Sequence, residues 1–417
     1  MRAFVAFLIG SVMATAACGD DTGPGGNGGG GSNDGGGGSP PADGGAGGTG
    51  GLDGGAGPQG GSGGAGGGEG GSGGGEEPSW VVPTCNPIQG TGAVTYTTDK
   101  GATLTPTSET ISGLKYTFGL VATGVPNELL ASSGGELLRS LDAGCTWTNA
   151  GPLPLITMKL TAGPAGGVYA WYDNETVFIR IENGVQTTYA APAAPVGVVV
   201  DANDPLHVRI GDGAGGLHES TDGGATWIKV GMGMPPDTFV YNIAFDPADL
   251  DHAIGGLMSD GALVTFDGGD TWAPAGGVGA IGNANAFVSA ISPVDGNIVW
   301  LEGFDLGTAI GEEVRRIWRS DDGGSTFVPV IEEDPEGGVF LTNGVPLAPH
   351  PTDRNVLFFE FGTYFQGYGT DIYEYDDSTG ELTWKHNAYD DVNVMLFHPT
   401  DPSVMYFALT SEEVGVK

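Results

Sequence analysis

The motif Ser-x-Asp-x-Gly-x-Thr-Trp returns along this chain at a spacing that few folds accept. It reads Ser140-Leu-Asp142-Ala-Gly144-Cys-Thr146-Trp147, then Ser220-Thr-Asp222-Gly-Gly224-Ala-Thr226-Trp227. Two more copies run Thr265-Phe-Asp267-Gly-Gly269-Asp-Thr271-Trp272 and Ser320-Asp-Asp322-Gly-Gly324-Ser-Thr326-Phe327. The step from residue 220 to 265 is 45 residues. A period near that length, filled with short strands, is the mark of propeller blades, each a four-stranded sheet that buries its faces against its neighbours.

Each copy lies between two strand-like runs, as 314–319 and 326–331 flank the last one. The motif therefore reads as a hairpin turn. An Asp carboxylate there accepts backbone N–H groups of its own turn. The Gly takes a positive φ that other residues resist. The hydroxyl adds a second local hydrogen bond, and the Trp folds back over the turn. None of this needs catalysis, so Asp142, Asp222, Asp267 and Asp322 are read as structural.

These residues resemble the Asp-box, or BNR, repeats of sialidases, sortilin-type receptors, xyloglucanases and photosystem II assembly-factor propellers. The resemblance implies an all-β propeller. It leaves function open, because the superfamily holds enzymes, receptors and assembly factors alike.

A second recurring element supports a blade count. Apolar strands end in turns at Val198-Val-Val-Asp201, Ile243-Ala-Phe-Asp246-Pro247, Ile291-Ser-Pro293, His350-Pro351-Thr-Asp353 and His398-Pro399-Thr-Asp401. Another apolar strand follows each. The grammar is innermost strand, tight turn, second strand, and then the motif joining strands three and four. It exposes degenerate copies at Arg180-Ile-Glu182-Asn-Gly184, at Asp376-Asp377-Ser-Thr-Gly380, and at Thr97-Thr-Asp99-Lys-Gly101-Ala-Thr103-Leu104. Asp99 thus joins the structural aspartates. Residues 93–106 supply only an outer strand pair and 392–410 only an inner pair. Pairing them completes one blade and removes exposed sheet edges. The expectation is a seven-bladed β-propeller of four-stranded antiparallel blades over 80–417, its last blade closed by the N- and C-terminal strands. A misread degenerate copy would make the count six or eight.

The N-terminus predicts export. Arg2 precedes a short apolar run that ends in Thr15-Ala16-Ala17-Cys18, too brief to span a bilayer. Small residues before a Cys resemble the lipobox of bacterial lipoproteins, which implies a signal peptide over 1–17 and acylation of Cys18. The alternative is an ordinary signal peptide with a coincidental Cys. Residues 18–79 are mostly Gly with Ser, Pro, Asp and Glu. Such a segment cannot bury enough apolar surface to fold. It predicts a disordered tether of about 60 residues with an r.m.s. span of roughly 40 Å. The expected location is the bacterial cell envelope, periplasmic or surface-exposed, with membrane contact only through the lipid.

The formal charge is −37. With no basic footprint, nucleic acid is not an expected partner. The bland account of the charge is solubility outside the cell; the sharper one is attraction of cations or of a basic partner. With Cys18 given to lipid, Cys85 and Cys145 are a candidate disulfide pair in an oxidising compartment.

No catalytic constellation stands out. Sialidase-type chemistry, as the resemblance implies it, needs three arginines around a carboxylate. Arg139 and Arg319 directly precede corners, where a surface role on strand three is expected. The six histidines are scattered, with no Cys-x-x-Cys, so no metal and no cofactor are expected. His350 and His398 sit at equivalent places before Pro and are assigned to turn structure. What remains is a rim of loops. Trp171 and Tyr172, with Tyr364, Phe365 and Tyr368, are the candidate ligand-binding residues, since aromatics in Gly-rich loops stack on sugars or anchor peptides. The competing account is packing on the neighbouring blade. The functional expectation is a monomeric, non-enzymatic propeller that binds a protein or glycan on one rim. The alternative is a glycoside hydrolase, sialidase- or xyloglucanase-like, with a carboxylate pair.

Overall fold

The computed structural model describes residues 79–88, 92–107, 115–278, 284–306, 313–363, 369–387 and 392–411. The predicted signal peptide, Cys18 and the tether up to residue 78 lie outside them, as do Tyr364, Phe365 and Tyr368.

The regular structure of the described chain is almost wholly antiparallel sheet. Two strands come first, β1 (Val94–Thr97) and β2 (Thr105–Pro106). Then follow β3 (Lys115–Ala122), β4 (Leu129–Ser133), β5 (Glu136–Ser140) and β6 (Thr148–Pro152). The next four are β7 (Lys159–Ala162), β8 (Val168–Trp171), β9 (Val177–Glu182) and β10 (Val185–Ala190). A further sheet holds β11 (Pro195–Asp201), β12 (Asp204–Asp212), β13 (Leu217–Ser220) and β14 (Ile228–Val230). Its successor holds β15 (Val240–Asp246), β16 (Asp249–Leu257), β17 (Ala262–Thr265) and β18 (Ala273–Pro274). Then come β19 (Ala284–Ile291), β20 (Val299–Asp305), β21 (Val314–Ser320) and β22 (Val328–Glu332). The last full set is β23 (Leu347–Pro349), β24 (Val356–Thr363), β25 (Gly369–Asp376) and β26 (Glu381–Asn387), before β27 (Val392–Phe397) and β28 (Met405–Ser411) end the chain.

Five of these sets are four-stranded sheets. The remaining eight strands form one sheet with two halves. One half is β3 to β6 in order, and the other is β27-β28-β1-β2, built from both ends of the described chain. β1 lies antiparallel to β28, from Val94 opposite Ala408 to Thr97 opposite Met405. Among the described residues, strand pairing joins the halves where Thr410 and Ser411 meet Tyr116 and Lys115.

Buried side chains collect between successive sheets. Leu217 and Val199 pack with Ile243 and Ala253, Ile254 with Val299 and Trp318, and Ile298 and Trp300 with Phe359 and Tyr373. Val94 and Tyr406 pack the same way with Leu129 and Leu138. Trp300, Trp318, Tyr373 and Phe359 are fully buried, each stabilising by about 1.5–3 kcal/mol. The first strand of each set touches the first strand of the next, β3 on β7, β11 on β15, β15 on β19, and finally β27 on β3.

All seven predicted corners join the last two strands of their sets. In five of them the local chemistry is nearly identical. Ser140 Oγ donates to Asp142 Oδ1 (2.8 Å) and accepts the N–H of Gly144 (2.9 Å). Asp142 takes the Thr146 N–H on Oδ1 and the Thr146 hydroxyl on Oδ2. Asp99, Asp222, Asp267 and Asp322 each take the hydroxyl of the preceding Thr or Ser and the N–H of the following Thr. Gly144 has φ +88°, and a Cβ there would meet Tyr406 and Leu129 near 3 Å. Trp147 and Trp227 fold back and donate Nε1–H to Gly144 O and Gly224 O. Burial works to raise Asp142, but the bonds from Thr146 and Ser140 outweigh it and hold its carboxyl below the usual range. Asp222 is lowered chiefly by the Thr226 N–H.

The corners also bind the chain where the second strand of their own set begins. Gly223, Gly268 and Gly323 donate N–H to Leu206 O, Asp251 O and Asn297 O. Both kinds of turn therefore share one end of the sheets, termed here the lower rim. By strand alternation, the second-to-third connections and the links between sets lie at the other end, the upper rim. His350 and His398 belong to the lower turns, each accepting two backbone N–H groups on Nδ1.

Residues 79–88 lie across the seam between the two halves of the eight-stranded sheet. Cys85 is bonded to Cys145 in the β5–β6 corner. Val81 N–H donates to Asn127 Oδ1 (2.7 Å), His398 Nε2 meets Val81 O (3.0 Å), and Trp80 sits edge-on to His398.

Arg319 departs from the surface role expected of it. Its side chain is 6% exposed, lies over Trp300, and is paired with Asp321 and Asp377. An adjacent sheet closes over the end of β21, which sequence position alone does not reveal.

Candidate functional site on the upper rim

Five first strands carry a one-residue bulge. The residue left out of the ladder is Phe118, Val196, Tyr241, Phe287 or Asn393. Each stands five positions before the residue that caps the lower turn, namely Thr123, Asp201, Asp246, Ser292 and His398. The bulges are thus at one level in successive sheets. A bulge releases a side chain from the inward–outward alternation and re-aims it. All five side chains are half-buried. At the same offset in the two short first strands, Met158 and Val345 are buried instead.

The bulged aromatics meet others from neighbouring connections. Phe239 precedes β15 and packs edge-on to Tyr241 (5.4 Å between ring centroids). Tyr241 lies 4.8 Å from Phe287, and Phe287 lies 5.5 Å from Phe304. Tyr116 stacks on Phe118 at 5.7 Å. Partial burial pushes the Tyr241 hydroxyl above its ordinary pKa.

Below this level a cavity of about 350 Å³ opens between β7, β11, β15 and β19, lined by Thr161, Trp171, Val198, Asn242, Ala244 and Ser289 among others. Asn242 ties three first strands together. Its Oδ1 accepts the Ser289 N–H (3.1 Å) and hydroxyl (2.7 Å), and its Nδ2 donates to Val196 O (3.4 Å). The polar groups lining this cavity are therefore largely used in holding the strands.

The sequence-predicted aromatics divide. Trp171 is not a rim residue: it is 7% exposed, packs with Tyr169, Phe178 and Val208, and donates Nε1–H to Thr161 Oγ1 (2.9 Å), with Lys159 over its ring. The competing account, packing on the adjacent sheet, describes its surroundings. It still lines part of the cavity. Tyr172 is half-buried against the cluster around Met158 and Val168, its hydroxyl accepting from Asn174. Tyr364, Phe365 and Tyr368 fall outside the described residues. Phe118, Tyr241 and Phe287 were missed, although their fixed distance from the turn-capping residue is written in the sequence.

Two buried carboxyl groups occupy equivalent places on β20 and β24. Glu302 and Glu360 each follow by five residues the Asn whose carbonyl anchors the corner, Asn297 and Asn355. Glu302 is fully buried, and burial pushes its pKa up to about 8. Its Oε2 accepts the Gly344 N–H (3.0 Å), while Oε1 has no hydrogen-bond partner among the described residues. A proton held at neutral pH is what a general acid needs, but a group with no accessible surface meets no substrate in this arrangement. Glu360 accepts the Thr370 hydroxyl.

On the lower side His207 is held at both ring nitrogens, by Asp201 (3.0 Å) and Glu219 (2.8 Å). Two carboxylate acceptors require two N–H donors, hence imidazolium. Burial opposes that charge, but the bonds to Glu219 and Asp201 outweigh it and raise the pKa of His207. Glu219 also takes Arg209, which reaches Leu250 O and Asp251 in the next sheet. Among the described residues no group of three or more His, Cys, Asp or Glu is placed to hold a metal ion.

No protein-family model matches the chain. It is 46% identical over 344 residues to the dispase autolysis-inducing protein of Streptomyces mobaraensis, spanning 81% of this chain and 91% of that one. A xyloglucanase of Paenibacillus sp is 26% identical over 347 residues, which cover 73% of this chain and 32% of that enzyme. Among solved structures, an ancestral GH74 enzyme aligns with TM-score 0.52 and 15% identity, over 76% of this chain and 45% of its own. YCF48 from Cyanidioschyzon merolae aligns with TM-score 0.50 and 13% identity, over 72% of this chain and 97% of its own. These structural neighbours are propeller proteins, and at such identities the likeness is one of fold.

Proposed function

The chain belongs to the family of the dispase autolysis-inducing protein, and from that premise we propose that it is an exported propeller that binds a protease on its upper rim and promotes the protease's self-cleavage. The observation that carries this is identity of 46% across 91% of the relative's length. The propeller is read as seven-bladed: the eight-stranded sheet is two blades touching at β28 and β3, one of them closed by the two chain ends. The corners are read as Asp-box repeats, and residues 1–17 and 18–79 as a signal peptide and a lipid-anchored tether.

Promotion of autolysis needs no bond chemistry in the propeller. A ligand that prefers a minor, cleavable conformation of its partner raises that conformation's population by its differential affinity, tenfold for about 1.4 kcal/mol. The half-buried aromatics of the upper rim supply rigid, amphipathic contact area for such a task.

The direct test is to incubate dispase with the purified chain and follow its fragmentation by gel and mass. Fragmentation that accelerates with dose and then saturates is expected. No acceleration at large excess, together with no complex in a binding assay, overturns the reading.

A second reading, glycoside hydrolysis, draws on the similarity to the Paenibacillus xyloglucanase, although this chain spans only 32% of that protein. Release of reducing sugar from xyloglucan, abolished by a single carboxylate substitution, would favour it.

A further inference from the structure

The apolar strip of the upper rim has its most exposed point where the sheet of β15–β18 meets that of β19–β22. Phe239 and Met258 are 48% and 50% exposed, and they are neighbours, since Met258 N–H donates to Phe239 O (3.0 Å). Behind them Tyr241, Phe287 and Phe304 continue the strip as touching rings. The backbone that presents the two exposed side chains is tightly held. Asp237 and Ser259, two residues before Phe239 and one after Met258, hold positive φ values of 66° and 68°, a conformation uncommon outside glycine. The Ser259 N–H is fixed by Asn285 Oδ1 (2.7 Å), and Asp260 bridges to Ala284. Strained, over-determined backbone of this kind gathers at ligand sites.

The exposed end of the strip is flanked by acidic residues. Asp237 and Asp260 are exposed at its edge, with no ion-pair partner among the described residues. The base nearest in the sheet, Arg315 opposite Phe304, is already tied to Glu333 (3.2 Å) and Asn343 (3.2 Å). The whole chain carries −37.

Resting on the reading of a protease partner, we propose that Phe239, Met258, Tyr241 and Phe287 form the docking surface, and that they receive an apolar side chain flanked by lysine or arginine on the partner. The apolar anchor packs on the exposed faces of Phe239 and Met258, where the contact desolvated on binding carries most of the affinity. Asp237 and Asp260 set the rate and the orientation of encounter. Aromatic rings with few rotatable bonds lose little entropy on being covered.

The test uses the full chain against immobilised dispase, and, in parallel, against two synthetic peptides, Arg-Arg-Phe-Arg-Arg and Glu-Glu-Phe-Glu-Glu. Phe239→Ala/Met258→Ala should weaken dispase binding at least tenfold with an unchanged melting temperature. Asp237→Asn/Asp260→Asn, which keeps a residue type tolerant of positive φ, should slow association and flatten its salt dependence. The cationic peptide should bind the parent chain and not the Phe239/Met258 variant, and the acidic one neither. Unchanged dispase binding by both variants overturns the surface while leaving the partner intact. Dispase that fails to bind even the parent chain removes the partner reading, and the peptides then decide the surface alone: equal binding of both peptides, or of parent and variant, overturns it.

Discussion

At the lower rim Asp142 accepts three hydrogen bonds from residues within four positions of it, and the same pattern recurs at Asp99, Asp222, Asp267 and Asp322. At the upper rim the repeated feature is a bulge, and the residue it releases is Phe, Val, Tyr, Phe or Asn. One end of the sheets repeats a chemistry; the other repeats only a position and varies the side chain placed there. A carboxylate whose acceptor sites are filled by its own turn has little left for a ligand, whereas a bulged aromatic keeps part of its surface uncovered. The difference separates what holds this propeller together from what it leaves exposed.

The largest expected effect strikes the lower rim. Cys85→Ser/Cys145→Ser opens a bond that spans 60 residues, and the closed-loop estimate is about 4 kcal/mol of stability. Urea unfolding of the two proteins under non-reducing conditions measures it, and coincident midpoints would deny the seam any role. Asp142→Ala leaves the Thr146 and Ser140 donors and Gly144 without their organiser, a loss of about 1.5–3 kcal/mol. If the melting temperature is unmoved, the corner is decorative.

Glu302→Gln reverses the sign. The folded carboxyl titrates near 8 and the ordinary value is 4.5. Between those limits the folded protein holds a proton that the unfolded chain lacks, so stability falls as pH rises through the window and is level above it. The amide removes that slope and should raise stability near pH 8 by on the order of 2 kcal/mol, after the cost of its own unpaired N–H. Parallel urea curves at pH 5 and pH 8 for parent and variant would contradict it. His207→Gln acts more gently and from the other direction. The raised pKa of His207 means that its contribution is complete below about 6.5 and is lost as pH climbs through the folded value. The variant should lose stability at pH 6 and match the parent on the alkaline side. The smallest stability change, under about 1 kcal/mol, is expected for Phe239→Ala, since its side chain is half exposed already; its effect belongs to binding.

The same contrast governs what could be read in advance. The corners were legible because the bonds to their carboxylate and hydroxyl lie within four residues, so Ser140, Asp142, Gly144 and Thr146 announce the turn without the rest of the molecule. The pairing of β1 with β28 was legible because two half-sets at the chain ends leave no other way to cover both edges. Arg319, Glu302 and Trp171 were not, because their burial depends on an adjacent sheet whose packing no local pattern records. The upper-rim strip joins Phe239 and Met258 across a sheet, and Tyr241 and Phe287 across two. Only the five-residue offset between each bulge and its turn cap was present in the sequence as a regularity.

Cys85 precedes β1, yet its bond leads to the corner between β5 and β6. A pull on the polypeptide ahead of Ser79 would therefore reach the β5–β6 corner through Cys85 before it reached Val94. A reducing milieu would redirect the same force onto β1 and peel it from β28, one ladder rung at a time.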